Sequence, residues 1–167
     1  MSNQTDTQQV LQFVTQKIHV CVGLDRVERI LSLVSLKPVP LSPRYVVGIM
    51  SLPGESVVVV DLAERLGLQD NRPYTIDTPI LLCTNSAGRK TGLIATAISG
   101  VENVSKADIQ LKPEFDEKNS PFVGIVNTSS GPSLQLNTDK ILSFSIMDEE
   151  ATLELEMTED QLSLASR

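Results

Sequence analysis

The fold is decided by a stretch that the chain contains twice, first as Ser42-Pro43-Arg44-Tyr45-Val46-Val47-Gly48-Ile49 and later as Ser120-Pro121-Phe122-Val123-Gly124-Ile125. Measured between their glycines, the two stretches are 76 residues apart (124 − 48). A second pair of blocks, Val27-Glu28-Arg29-Ile30 and Val101-Glu102-Asn103-Val104, has an offset of 74 residues (101 − 27). Similar offsets in separate blocks indicate two copies of one β-rich unit packed together.

Short strands are expected around these blocks. Residues 18–24 alternate between apolar and polar side chains, which is the period of a strand. Residues 57–60 are all valine, so this strand is expected to be covered on both faces. Three prolines in residues 37–43 exclude a helix or a central strand there. The other expected strands are residues 10–15, 48–52, 56–60, 80–84, 91–98, 122–126 and 133–136.

Short helices are expected where a capping residue precedes an apolar turn. Asp61 is expected to cap a helix over residues 62–66 that Gly67 ends. Asp25 is expected to cap a helix over residues 26–31, and Thr138 one over residues 139–142. Residues 69–79 are polar and contain two prolines, so they are expected to link the two halves. Frequent turns between short strands predict two small barrels.

Charge is unevenly distributed along the 167 residues. The formal net charge is −7, which argues against nucleic acid as a partner. Seven of the acidic residues fall after residue 147, with Arg167 as the one base there, and the body is nearly neutral. Residues 147–167 are therefore expected to form a solvated acidic extension.

The inventory of catalytic and metal-binding groups is nearly empty. Cys21 and Cys83 are expected to be buried free thiols in a cytoplasmic protein, since the start of the chain lacks a signal peptide and no run is long enough to cross a membrane. A lone histidine, His19, excludes a multi-histidine metal site and is expected at the surface. Gly88-Arg89-Lys90-Thr91 lacks the first glycine of a phosphate-binding loop and is expected to be a turn.

A longer motif covers residues 51–67. It reads Ser51-Leu52-Pro53-Gly54, three residues, then Val58-Val59-Val60-Asp61-Leu62-Ala63-Glu64-Arg65-Leu66-Gly67. This motif resembles that of the CheW family, the coupling proteins of bacterial chemosensory arrays. The family pattern is Asn-Leu-Arg-Gly, three residues, then Pro-Val-x-Asp-Leu-Arg-x-Arg-Leu-Gly. Upstream, Pro40, Pro43 and Gly48 match a Pro-x-x-Pro-x-x-x-x-Gly pattern. The resemblance covers roughly residues 10–144.

The resemblance implies an all-β (mainly β) fold of two packed five-stranded SH3-like barrels with a few short helices. It implies one CheW-like domain over residues 10–146, with a first barrel of about residues 10–75 and a second of about residues 76–146. It further implies an adaptor that has no catalytic activity and no cofactor. The implied partners are the regulatory domain of a CheA-type histidine kinase and the cytoplasmic tip helices of chemoreceptors, with no membrane insertion.

Three departures from the family pattern bear on partner choice. Arg29 stands where the family has an acid, Pro53 stands where it has an arginine, and Val58 stands where it has a proline. Reversed charge at an interface costs several kcal/mol, so a divergent member with a dedicated partner set is the hypothesis. Two alternatives stay open: a CheW-like protein that competes for array sites without activating the kinase, and a sensor that binds a small molecule in the seam between the barrels.

Site residues follow from the same resemblance. A kinase-facing patch on the first barrel, here named the first-barrel patch, is expected to consist of Val27, Arg29, Ile30, Leu52, Pro53 and Gly54. The seam is expected to be supported by Val59, Asp61 and Leu62, with Asp61 more structural than contacting. Pro43 and Gly48 are expected to be structural, and Gly124 is expected to repeat the role of Gly48.

Overall fold

The computed structural model describes residues 6–68, 73–111, 115 and 120–144. Two short helices are α1 (Leu62–Arg65) and α2 (Thr138–Ile141), and single 3-10 turns cover Leu24–Arg26 and Lys106–Asp108. The strands are β1 (Thr7–Thr15), β2 (Ile18–Gly23), β3 (Val27–Ser32), β4 (Val46–Leu52), β5 (Glu55–Asp61), β6 (Pro79–Thr84), β7 (Lys90–Ile94), β8 (Ala97–Ser105), β9 (Ile109–Gln110), β10 (Phe122–Thr128) and β11 (Gly131–Leu136).

The strands form two sheets, which confirms the mainly-β prediction. One sheet has the order β8-β1-β2-β11-β10-β9 and the other the order β3-β6-β7-β5-β4. The first therefore exceeds the expected five strands by the two-residue β9. In each sheet one pair is parallel, β2 with β11 and β5 with β7, and these pairs join strands from different halves of the sequence.

The strands do not divide between the two sheets at the boundary expected at about residue 75. β1 and β2 lie in the sheet that otherwise contains β8 to β11, and β6 and β7 complete the sheet of β3, β4 and β5. Each half of the chain thus donates its first hairpin to the other half's sheet. The repeat itself is visible in the result, because β3 and β8, which carry the two Val-Glu blocks, both lie at the outer edge of a sheet.

Gly48 and Gly124 hold equivalent positions. Each lies at a register shift in its hairpin, between β4 and β5 and between β10 and β11 respectively. A Cβ on Gly48 would lie 2.6 Å from the carbonyl oxygen of Lys37, and a Cβ on Gly124 would collide with the carbonyl oxygen of Gln110. Because only a residue without a Cβ permits this approach, the repeated glycine is explained by packing. The Pro43 carbonyl accepts from the Val46 N–H at 2.9 Å at the entry to β4, and a structural role for Pro43 stays a prediction.

One apolar cluster spans both sheets. Leu11, Phe13 and Val20 contribute to it from the six-stranded sheet, and Val60, Leu81 and Leu93 from the five-stranded one. A smaller apolar cluster around Met50, Val59 and Ile80 belongs to the five-stranded sheet. Another, around Val10, Cys21 and Val126, belongs to the six-stranded sheet. The two sheets are therefore packed together through a common core rather than touching at their surfaces.

Several local predictions are wrong. The helix expected over residues 26–31 is a 3-10 turn followed by β3, because pairing of Val27–Ser32 with β6 overrides the capping signal of Asp25. The strand expected over residues 91–98 ends at Ile94, and β8 begins at Ala97. The helix expected after Thr138 begins at Thr138 and is capped by Asn137. Residues 147–167 and part of the linker at 69–79 lie outside the described residues.

Candidate functional site

The β3 half of the first-barrel patch is an exposed sheet edge. Ile30 is 45% exposed and Arg29 extends into solvent, whereas Val27 is half-buried against the common core. Among the described strands, β3 pairs with β6 alone, with a register shift between Val27 and Arg29. The edge therefore presents an apolar side chain, a cation and unpaired backbone groups, which together can recognise a partner strand or loop.

The other half of the patch is the turn between β4 and β5. Leu52 pairs with Glu55, which leaves Pro53 and Gly54 as the two exposed residues of the loop. Gly54 has a φ of 78°, which glycine adopts without the strain of a side chain. Leu52 is half-buried against the interior cluster around Met50, so it anchors the turn from beneath.

Lys90, which the sequence analysis considered only as part of a turn, connects these two halves. Lys90 Nζ lies 3.0 Å from Glu28 Oε2 and 3.2 Å from Glu55 Oε2. Hydrogen bonds to Glu28 and Glu55 raise the pKa of Lys90 above its ordinary value, and the bond to Glu28 has the larger effect. We call these three residues the Lys90 bridge. Glu28 is the neighbour of Val27 and Arg29, and Glu55 the neighbour of Gly54, so the structure brings both halves of the patch to one end of the sheet.

A second group of side chains joins the two halves of the chain at the seam. Arg65 donates to the carbonyls of Lys140 and Ile141 and lies over the ring of Tyr45 at 4.9 Å. Tyr45 meets Phe144 edge to face at 5.7 Å between ring centres. Arg89 lies over the Phe144 ring at 4.4 Å and donates to its carbonyl at 2.9 Å. Aromatic and guanidinium groups thus tie α1 and the β6–β7 turn to the segment after α2.

The same seam is fastened by a carboxylate on α2. Asp139 accepts from both the backbone N–H and the hydroxyl of Ser86 at 2.8 Å. These bonds lower the pKa of Asp139 below its ordinary value. Asn85 Oδ1 accepts from the N–H groups of Ala87 and Arg89, so a turn covers residues 85–89. Of the turn expected over residues 88–91, Lys90 and Thr91 instead belong to β7.

Comparison with known proteins adds to this geometry. A model of the CheW-like domain matches residues 9–145. The chain belongs to this family. The chemotaxis protein CheW of Rhizobium meliloti is 30% identical over 95 residues, 57% of this chain and 60% of that protein. The chemotaxis protein CheW of Thermotoga maritima is 23% identical over 134 residues, 80% of this chain and 87% of that protein.

A solved structure shows the same fold. The crystal structure of the scaffolding protein TtCheW from Thermoanaerobacter tengcongensis superimposes with a TM-score of 0.74 at 22% identity, over 84% of this chain and 96% of that chain. This similarity confirms the predicted fold of two packed SH3-like β units.

Three residues expected to support the seam lie inside this CheW-like domain. Val59 and Leu62 are fully buried, so neither side chain can contact a partner from its present position. Asp61 is 9% exposed and caps α1 by accepting from the Glu64 N–H at 3.2 Å. Its other carboxylate oxygen accepts from the Tyr74 hydroxyl. All three residues thus lie beneath the surface, and the exposed members of the expected set are Arg29, Ile30, Pro53 and Gly54.

The groups that could support catalysis or metal binding are few in the part of the chain that the structure describes. No cluster of three or more His, Cys, Asp or Glu that could hold a metal occurs there. Cys21 and Cys83 are free and buried, and burial raises their pKa values to about 11 and about 12, so both stay protonated thiols at neutral pH.

No described helix is long and apolar enough to cross a bilayer. A cavity of about 200 Å³ lies at the seam beside Thr15, Asp61 and Tyr74.

Proposed function

We propose that this CheW-like protein is a non-catalytic adaptor that couples chemoreceptors to a CheA-type histidine kinase in the cytoplasm. Membership in the CheW-like family supports the adaptor role. The observation that carries the finer proposal is the first-barrel patch, where an exposed sheet edge and an exposed hairpin turn lie at one end of the same sheet. A surface of this kind suits a protein partner and offers no enclosed reaction site.

The first-barrel patch is assigned to the regulatory domain of the kinase. Its centre is apolar, with Ile30 and Pro53 exposed, and Arg29 adds one cation at the rim. Apolar side chains inside a polar rim are the usual composition of a protein–protein interface. Because Arg29 stands where the family has an acid, the kinase that it contacts is expected to present an acidic group there.

The receptor tip helices are assigned to the seam between the sheets. Tyr45, Phe144, Arg65 and Arg89 are half-buried there, so they combine apolar contact area with donors. An amphipathic helix laid in such a groove would bury its apolar face and pair its acidic side chains with the arginines. Val59 and Leu62 would support this groove from the core.

Calorimetric titration into the regulatory domain of each CheA-type kinase of the same genome tests the proposal. Micromolar or tighter binding to one kinase is expected, and Arg29→Glu is expected to weaken it by about tenfold or more because a charge at the interface is reversed. Arg44→Glu is the matched control, since Arg44 is exposed in the proline-rich loop outside the patch. Absence of binding to every kinase would overturn the coupling function.

Competition without activation is the second candidate, and the exposed Arg29 favours it, because an altered contact could occupy the array site without transmitting the signal. Reconstituted arrays of receptor, kinase and a standard CheW protein distinguish the two. A coupling protein sustains kinase activity when it replaces the standard protein. A competitor lowers that activity as its concentration rises.

A further inference from the structure

The two parts of the first-barrel patch lie in one sheet but on strands that are not neighbours. β3 pairs with β6, β6 with β7 and β7 with β5, so two strands separate β3 from the β4–β5 hairpin. The register between β5 and β7 begins at Val58, so the turn at Pro53 and Gly54 extends beyond it. At this end of the sheet, side chains can therefore add a direct connection between the turn and β3 that the ladder does not provide.

The Lys90 bridge supplies that connection. Lys90 begins β7, the strand between the two parts, and its ammonium contacts Glu28 on β3 at 3.0 Å and both oxygens of Glu55 at 3.2 and 3.3 Å. The preceding turn is fixed by two hydrogen bonds to Asn85 Oδ1, which hold the backbone that carries Lys90. One cation thus binds two carboxylates, one from the edge strand β3 and one from β5, which lies on the other side of β7.

We propose that Lys90 is a positioning residue that holds the β4–β5 turn against β3, and so preorganises the surface that the kinase regulatory domain contacts. The inference rests on the proposed function. All three side chains are about one-third exposed, and ion pairs of this exposure add little to global stability. Their effect belongs instead to binding, because a surface that is already ordered loses less conformational freedom when the partner arrives.

The bridge also gives a role to a sequence motif that the adaptor function leaves unused. Lys90 lies in Gly88-Arg89-Lys90-Thr91, which resembles part of a phosphate-binding loop. In the structure its ammonium is already engaged by two carboxylates, whose charge disfavours an anionic ligand at the same nitrogen. The lysine therefore serves the protein surface and not a phosphate.

The test compares Lys90→Met with Lys106→Met in the full-length protein. Lys106 forms an equally short ion pair, 2.9 Å to Asp6, in the other barrel, so its variant loses the same charge and one bridge away from the patch. Lys90→Met is expected to weaken binding of the kinase regulatory domain by about tenfold, while Lys106→Met leaves it within about twofold. Lys90→Arg, which retains the cation, is expected to restore most of the affinity.

Two further measurements separate positioning from direct contact and from folding. The double variant Glu28→Gln/Glu55→Gln keeps Lys90 but removes the bridge, and it is expected to weaken binding in the same direction. In the free protein, the amide hydrogens of Leu52, Gly54 and Glu55 are expected to exchange faster in Lys90→Met, with the rest of the five-stranded sheet unchanged.

The proposal is overturned if Lys90→Met binds within twofold of the parent protein, or if exchange at residues 52–55 does not change. It is also overturned if the glutamine double variant binds normally, because Lys90 would then act by touching the partner. If the parent protein binds no kinase, the coupling function is wrong, and so is the role of Lys90 in kinase binding. Exchange at residues 52–55 would still report whether Lys90 holds the turn, so the two failures are distinguishable.

Discussion

At the residue scale, packing explains why a glycine recurs at Gly48 and Gly124 in the two halves of the chain. A Cβ at either position would meet a backbone carbonyl oxygen, which cannot move away as the end of a flexible side chain can. Gly48→Ala is expected to lower the free energy of unfolding by about 2 kcal/mol or more, because the added Cβ collides with the Lys37 carbonyl. Urea unfolding measures this loss. Ser51→Ala, at an exposed position of the same strand, is the control and is expected to change stability by less than about 0.5 kcal/mol.

Glu102 gives a residue-scale prediction about pH. Its carboxylate accepts from the backbone N–H and the hydroxyl of Ser129 at 2.9 Å, and these bonds lower its pKa below the ordinary value of 4.5. A lowered folded-state pKa stabilises the protein above pH 4.5, and this contribution is lost as the pH falls through the folded pKa. Urea unfolding of the parent and of Glu102→Gln is expected to show a stability gap at pH 7 that narrows as the pH falls toward 3.

Ser129→Ala serves as the partner control for the pH experiment. It removes the hydroxyl but keeps the backbone N–H, so its gap from the parent is expected to be smaller than that of Glu102→Gln and to narrow over the same pH range. A gap that is equal at pH 7 and pH 3 for both variants would contradict the ionic origin of the contribution.

At the scale of elements, the β5–α1 junction depends on Asp61. One carboxylate oxygen caps α1 through the Glu64 N–H, and the other accepts from Tyr74. Asp61→Ala is expected to destabilise the protein by about 1–2 kcal/mol, whereas Asp61→Asn, which retains a capping oxygen, is expected to cost less than half as much. Thermal unfolding compares the two. Equal losses in both variants would show that the charge or the hydrogen bond from Tyr74, and not the cap, holds the junction.

At this scale, sequence patterns predict elements that depend on neighbouring residues, but they do not predict pairing between residues far apart in the chain. Period-two alternation correctly predicts β2, and the capping signal of Asp61 correctly predicts α1. The same capping argument fails at Asp25, because β3 gains its conformation from pairing with β6, whose residues are 47 (79 − 32) to 56 (83 − 27) positions away in sequence. The Lys90 bridge was missed for the same reason, since its three residues come from separate strands and share no sequence spacing.

The resemblance to the CheW family predicted a set of site residues, and the structure divides that set by depth. Arg29, Ile30, Pro53 and Gly54 are exposed, whereas Val59 and Leu62 are fully buried. A sequence motif records positions that a family keeps, but it does not separate side chains that contact a partner from those that support the surface. Only the packing of β5 and α1 against the core makes that distinction.

For the whole molecule, the exchange of hairpins predicts how the chain folds. A fragment of residues 1–75 contains β5 without its parallel partner β7 and β3 without β6, and a fragment of residues 76–167 contains β8 and β11 without β1 and β2. Isolated hairpins are marginal in water, and each fragment would expose its share of the common core. Each fragment alone is therefore expected to lack dispersed amide signals in NMR spectra and a cooperative thermal transition.

An equimolar mixture of the two fragments is expected to recover both properties, because together they supply every partner strand and all of the cluster that contains Leu11, Leu81 and Leu93. The intact chain provides the reference spectrum. A fragment of residues 1–75 that folded alone would show that the first half forms a closed barrel without β6 and β7. The exchanged topology would then be unnecessary for folding, and the two halves would be separable units as the sequence repeat first indicates.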